Sequence, residues 1–217
     1  MRERYNEQLK NLHERLIEMG NLCQEAIGAA ASSLMVRQEE MRRKAFAADE
    51  KIDALEREIE DLCMRLLLQQ QPVARDLRSI SSALKMISDM ERIGDQAADI
   101  AELAQYLADN KLKEKELLLE MAKAAVEMVD ESVAAFVEAD LQRARQVIDQ
   151  DDEVDQLFEQ IRQELLKGEV EMRLGLDLLM ASKYLERIGD HAVNIAEWVE
   201  YSITGEHKNH EHQLWSE

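Results

Sequence analysis

The sequence predicts an all-α protein: six long helices forming two tandem, pseudo-symmetric three-helix bundles. Three observations carry that expectation. Only one proline and seven glycines interrupt 217 residues, which leaves few sites for tight turns. Ala, Leu, Glu, Gln, Met and Arg are abundant, and these residues lose little side-chain freedom in a helix. Finally, residues 91–102 (ERIGDQAADIAE) recur at 186–197 as ERIGDHAVNIAE, with nine of twelve positions identical and an offset of 95.

The elements follow in order from apolar spacing. A first helix over 6–36 carries Leu9, Leu12, Leu16, Met19, Cys23 and Ile27 at steps of three and four. A second over 39–70 carries Ile52, Leu55, Ile59, Leu62 and Leu66, and Pro72 then marks a break. A third spans 73–109. After the short polar link at 109–111 come helices over 114–138, 141–167 and 169–203, with Gly168 and Gly205 at positions that suit helix ends. A second repeat supports this order: DEKIDALE at 49–56 matches DDEVDQLF at 151–158, offset by 102. The chain therefore divides into a first three-helix repeat over 1–110, a second over 111–205 and a polar tail over 206–217.

Composition narrows the function. Hydrophobic residues make up 46% but aromatics only 4%, so the core must be built from Leu, Ile, Val, Ala and Met. A net charge of −19 repels phosphate backbones and anionic lipid, leaving cations as natural partners and nucleic acid as an excluded one. The N-terminus lacks a signal-peptide pattern, and no run approaches the roughly 20 apolar residues that span a bilayer. These features place the protein in the cytoplasm, with no direct membrane insertion. Cys23 and Cys63, inside apolar helical patterns, read as buried reduced thiols. Met64, Met86, Met90 and Met180 read as core or interface filler.

The recurring motif carries the chemistry. Positions four apart lie on one helix face, so Glu91 aligns with Asp95, and Glu186 with Asp190. The same spacing aligns Asp49 with Asp53 and Asp151 with Asp155 on the second helix of each repeat. The apolar stripe Leu77, Ile80, Leu84, Ile87 continues at helical steps onto Glu91 and Asp95, so acids occupy positions expected to pack inward. Carboxylates brought together out of water repel and lose hydration unless a cation or protons neutralise them. Gly94 and Gly189 sit mid-helix at a cost of about 1 kcal/mol each relative to alanine. They mark places where a neighbouring helix or ligand comes close. Arg92 and Arg187 follow each Glu and are positioned to support the carboxylates. Asp99 extends the first site, whereas Asn194 replaces it in the second, so the two sites are expected to differ in affinity or nuclearity.

A lone ExxxD on an acidic helix is ordinarily a solvated face. Duplication, the inward stripe and the matching DxxxD pairs favour metal binding over that reading. All-oxygen sites suit Mg²⁺, Ca²⁺, Mn²⁺ or iron, with zinc less favoured.

With ERIGD at 91–95 and 186–190, each continuing to IAE, and DEKID and DDEVD at 49–53 and 151–155, the chain resembles the PhoU family over nearly its whole length. That resemblance implies paired three-helix bundles and clusters of iron or another divalent metal. Their ligands would be Asp49, Asp53, Glu91 and Asp95, with Asp151, Asp155, Glu186 and Asp190. It also implies a negative regulator of phosphate uptake and phosphate-starvation signalling, with a phosphate ABC transporter ATPase, a sensor histidine kinase and a second copy of the chain in a homodimer as its partners.

Two rival readings remain at this level. A di-metal carboxylate enzyme needs Glu-x-x-His motifs on facing helices, and none occurs in the helical body. No catalytic residues are assigned. A metal-free helical adaptor would leave the acidic faces solvated. His207, His210 and His212 belong to the expected polar tail, and phosphate binding at a loaded cluster is a further expectation.

Overall fold

The computed structural model describes residues 2–35, 38–70 and 74–206. Among them six helices follow one another and no strand occurs: α1 (Arg2–Met35), α2 (Glu39–Gln70), α3 (Ala74–Leu107), α4 (Glu114–Glu138), α5 (Leu141–Leu166) and α6 (Met172–Thr204). Pro72, Val36 and Val73, and the tail residues 207–217 with their three histidines, lie outside the described residues.

Local chemistry explains the helix ends. Helix α4 stops at Ala139, which adopts a left-handed conformation (φ 53°), while the Asp140 N–H donates to the Ala135 carbonyl. Asp140 then caps α5, its carboxylate accepting from the N–H groups of Gln142 and Arg143. Gly168 (φ 72°) and Gly205 (φ 79°) take the left-handed positions expected of them. Helix α6 starts at Met172 rather than 169, because the Glu171 side chain accepts from the Arg173 N–H and sets the first turn there. Helix α3 ends at Leu107, two residues early, where Asn110 N–H turns back to the Leu107 carbonyl. Helix α1 begins four residues early. Tyr5 is buried, with Asp76 of α3 near enough to act on its phenol, so a tertiary contact anchors that first turn.

The helices pack in three layers. Helices α1, α3, α4 and α6 form a central layer, with α1 against α4 and α3 against α6. Helix α2 packs on α1 and α3 only, and α5 on α4 and α6 only, so these two form the outer layers. The α3·α6 pair is antiparallel: Arg78 packs on Gly205, Asp89 on His191, and Arg173 lies over the Tyr106 ring. Self-pairing of equivalent helices is what a pseudo-twofold axis between the repeats requires. Gly20 lets α1 approach α4, since a Cβ there would meet Val133 Cγ2 at 3.2 Å. One continuous apolar core runs through both repeats, including Leu12, Leu16, Ile27, Ile59, Met86 and Ile188. Full burial of each such side chain contributes about 1.5–3 kcal/mol. Cys23 and Cys63 are buried free thiols, as expected. Met86 and Met90 are core residues, but Met64 and Met180 stand exposed and so are not filler within this chain.

Candidate metal centre

The buried face of α3 runs through Ala83, Met86, Met90, Ile93, Ala97, Ile100 and Ala104. Its mean direction lies about 155° of helical rotation from that of Leu77, Leu84, Glu91 and Asp95, with Ile80 and Ile87 falling between the two. The expectation that this stripe points into the core holds for Ile80 and Ile87, which are buried, and is corrected for the rest: Leu77 is exposed, and Leu84, Glu91 and Asp95 are half-buried, the two acids at the rim where α2 meets α3. In the second repeat Asp151 and Glu186 are half-buried, whereas Asp155 and Asp190 are exposed. An apolar-looking stripe at the flank of a helix can pack against a neighbouring helix on one side only, which is what happens here.

The fold nevertheless gathers the eight acids into two groups of four, each across an outer helix and its α3 or α6 partner. Asp49 feels Asp53 and Asp95, and Glu91 feels Asp95 and Asp53. Asp151 likewise feels Asp155, Asp190 and Glu186. The glycines explain the closeness. A Cβ on Gly94 would stand 2.7 Å from Asp49 Oδ1, and one on Gly189 would stand 3.0 Å from Asp151 Oδ1. Each aspartate thus lies in a cradle that any side chain at the glycine would fill. Asp49 Oδ1 and Asp151 Oδ1 are both buried, and among the described residues neither has a hydrogen-bond partner.

Electrostatics follow from this crowding. Burial first, then the neighbouring acids, push the Asp49 carboxyl up to about 6 and that of Asp151 up to about 7. Burial and then Asp95 raise Glu91, while burial and then Glu186 raise both Asp155 and Asp190. The last two have exposed surfaces, yet protein atoms crowd their carboxyl groups enough to disfavour the charge. Arg92 lies 3.5 Å from Glu91 and partly offsets its neighbours.

Sequence reasoning missed three contributors. Glu56, one turn beyond Asp53, joins the first cluster and accepts from Ser88 at 3.5 Å. Lys183, one turn before Glu186, forms an ion pair with it in the second cluster. Asp89, between the repeats, accepts from Asn194 Nδ2 at 3.1 Å and contacts His191 Nδ1 at 3.0 Å. Simple helical spacing from Asp53 would have found Glu56, whereas Lys183 looks like an ordinary surface pair until Phe158 is placed beside it. Asp99 does belong near the first cluster, where it feels Asp95, but it also lies near Tyr184 across the α3·α6 interface.

These residues suit a hard cation on three counts: the orphaned aspartate oxygens, the glycine cradles and an all-carboxylate donor set. As the side chains stand, no three His, Cys, Asp or Glu groups among the described residues converge closely enough to enclose an ion.

The PhoU domain model matches residues 16–104 and again 118–199, one copy over each repeat. The chain belongs to the PhoU family. This PhoU chain is 36% identical over 212 residues to a phosphate-specific transport system accessory protein PhoU homolog of Clostridium acetobutylicum, covering 94% of this chain and 96% of that one. A homolog of the same description from Aquifex aeolicus is 37% identical, covering 94% and 95%. Among solved structures, PhoU from Pseudomonas aeruginosa superposes with a TM-score of 0.86 at 30% identity, covering 93% of this chain and all of that one. The phosphate transport system regulatory protein PhoU from Streptococcus pneumoniae gives 0.85 at 30% identity, over 94% and 99%. Membership of this PhoU family places the chain among accessory and regulatory proteins of phosphate transport. No helix among the described residues is long and apolar enough to cross a membrane.

Proposed function

We propose that the chain is a cation-dependent regulator of phosphate uptake, working in the cytoplasm as a homodimeric adaptor. It would link a phosphate ABC transporter ATPase to a sensor histidine kinase and hold starvation signalling off when phosphate is plentiful. The observation that carries the cation part is the duplicated pairing of a buried, partnerless aspartate oxygen with a mid-helix glycine, Asp49 with Gly94 and Asp151 with Gly189. The partners rest on the family alone.

In this reading Asp49, Asp53, Glu91 and Asp95 hold one set of cations, and Asp151, Asp155, Glu186 and Asp190 another. Iron, Mn²⁺, Mg²⁺, Ca²⁺ and Zn²⁺ are the candidate ions, with oxygen donors favouring the harder ones. A bound cation supplies positive charge that offsets the repulsion between carboxylates. The chain's own part is positional. Each outer helix contributes the aspartates, each central helix contributes Glu and Asp, and the glycine sets how closely the two approach. Neutralising the acids joins α2 to α3, and α5 to α6, across surfaces that otherwise repel.

Elemental analysis of the purified chain beside an Asp49→Ala, Asp151→Ala double variant tests the cation reading. Bound metal in the parent, lost in the variant, is the expected result. A parent protein that binds no metal would favour a metal-free helical adaptor. Co-purification from phosphate-replete cells, with transporter ATPase and kinase recovered by the parent, tests the adaptor part.

A further inference from the structure

The two acidic clusters occupy equivalent places in the repeats, but their surroundings differ at several equivalent positions, Arg57 against Glu159 among them. Ser88 in the first repeat corresponds to Lys183 in the second, Glu56 to Phe158, and Asp99 to Asn194. The differences at Ser88 and Glu56 act together. In the first repeat the Ser88 hydroxyl donates to Glu56 Oε1, so this corner adds a carboxylate to the cluster. In the second, the Lys183 ammonium lies 5.6 Å from the centre of the Phe158 ring and forms an ion pair with Glu186. The aromatic face and the carboxylate hold the ammonium from two sides. Lys183 also acts on Asp155 and Asp190, lowering the cost of their charge. The first cluster thus has Glu56 and Asp99 beyond the four acids Asp49, Asp53, Glu91 and Asp95, with Glu50 beside Asp49 as Asp152 is beside Asp151. The second has Asp151, Asp155, Glu186 and Asp190, with a built-in cation in contact.

Other cations do flank the first cluster. Arg57 and Arg92 each lie 3.5 Å from their nearest acid, and their side chains are mostly in solvent, at 73% and 60% exposed. Lys183 is itself 46% exposed and its Glu186 partner only 14%, against 42% for Asp53 and 27% for Glu91, so that pair is screened less by water.

We propose that Lys183 is a tethered counter-ion that makes the second-repeat cluster the weaker of two unequal cation sites, the first-repeat cluster being the tighter. An incoming divalent ion must displace or repel the ammonium at Glu186, whereas at the first cluster it meets extra negative charge from Glu56 and Asp99. The two clusters then load at different cation concentrations, which gives the protein two graded states from a duplicated fold. This inference rests on the cation reading of the clusters.

The test is Mn²⁺ titration of the full chain after chelator treatment, following free Mn²⁺ by its electron paramagnetic resonance signal. Two affinity classes are expected in the parent protein, with Asp49→Ala removing the tighter class and Asp151→Ala the weaker. Lys183→Ser should tighten the weaker class by about fivefold, the effect of one partly screened charge pair, and leave the tighter class unchanged. Ser88→Lys should weaken the tighter class. A weaker class indifferent to Lys183→Ser overturns the proposal, as does loss of the tighter class in Asp151→Ala. If the parent binds no Mn²⁺ at all, the underlying cation reading fails too, and that result is distinct because it needs no variant to appear.

Discussion

Replacing Gly94 by alanine isolates the structural requirement of the first acidic cluster. A Cβ there would sit 2.7 Å from Asp49 Oδ1 and 3.1 Å from Ile52 Cδ1, while ordinary contact begins near 3.4 Å. The Asp49 carboxylate must therefore retreat by about 0.7 Å, enough to displace it from any position set by ion–oxygen bonding. Stability changes little, because two effects oppose. Alanine gains about 1 kcal/mol over glycine in a helix interior, and moving two side-chain ends costs about 1 kcal/mol, the low end of overpacking. Gly189→Ala is the control. Its Cβ would lie 3.0 Å from Asp151 Oδ1, which must give by about 0.4 Å, while Val154 at 3.5 Å is already at ordinary distance, so this variant should gain part of the roughly 1 kcal/mol that alanine brings to a helix interior. Urea unfolding of the chelated proteins measures the stability effect, and Mn²⁺ titration measures the site. Gly94→Ala should unfold within about 1 kcal/mol of the parent and lose at least tenfold in affinity for the tighter Mn²⁺ class. Parent-like Mn²⁺ binding by Gly94→Ala would refute the idea that glycine is there to admit the aspartate.

The remaining predictions concern charge and the α3·α6 interface. Asp49 and Asp151 have folded-state values of about 6 and 7, above their ordinary range, so the folded chain takes up protons that the unfolded chain releases. That contribution to stability is full below about pH 4 and is lost as pH rises through 6 to 7, so the thermal midpoint of chelated protein should fall over this window from these groups. Added Mn²⁺ should restore more at pH 8 than at pH 5; equal restoration at both would count against the reading. Asp151→Asn should raise the midpoint of the chelated protein at pH 8 and flatten its decline with pH, as scanning calorimetry would show. Asp89→Ala removes the acceptor shared by His191 and Asn194 and should cost about 1–2 kcal/mol in urea unfolding; a loss below about 0.3 kcal/mol would mean that those contacts are not load-carrying.

How much was legible depends on whether a feature is periodic. Helices α2 and α4 match the expected bounds because apolar spacing is regular over their whole length, and the duplicated ERIGD run revealed the pairing of repeats. Helix α1 started early because the contact between Tyr5 and Asp76 joins residues 71 positions apart, which no local pattern reports. The eight acids were found from spacing, but their depth was not. The stripe through Leu77, Ile80, Ile87 and Glu91 looks like a core stripe by period alone, and only the placement of α1, α2 and α6 around α3 shows that its Ile80 and Ile87 edge is core and its Leu77 and Glu91 edge is rim. Lys183 was overlooked for a similar reason. A lysine three residues before a glutamate is an ordinary surface pair until Phe158 is seen to hold it against the cluster.

The topology adds a constraint that neither the acids nor the glycines state alone. The central layer is held by two self-pairings, α1 with α4 and α3 with α6, whereas α2 and α5 each touch only their own repeat. Both acidic clusters straddle the seam between an outer helix and the central layer, so their charge bears on the attachment of α2 and α5 and leaves the central pairings largely alone. Hydrophobic burial by Ile52, Ile59 and Leu66 holds α2 in place, and repulsion among Asp49, Asp53, Glu91 and Asp95 opposes it along one edge. The balance at that edge is set by whatever neutralises the acids, protons or cations. A duplicated fold of this form can therefore change the grip on its outer helices one repeat at a time while its middle stays intact.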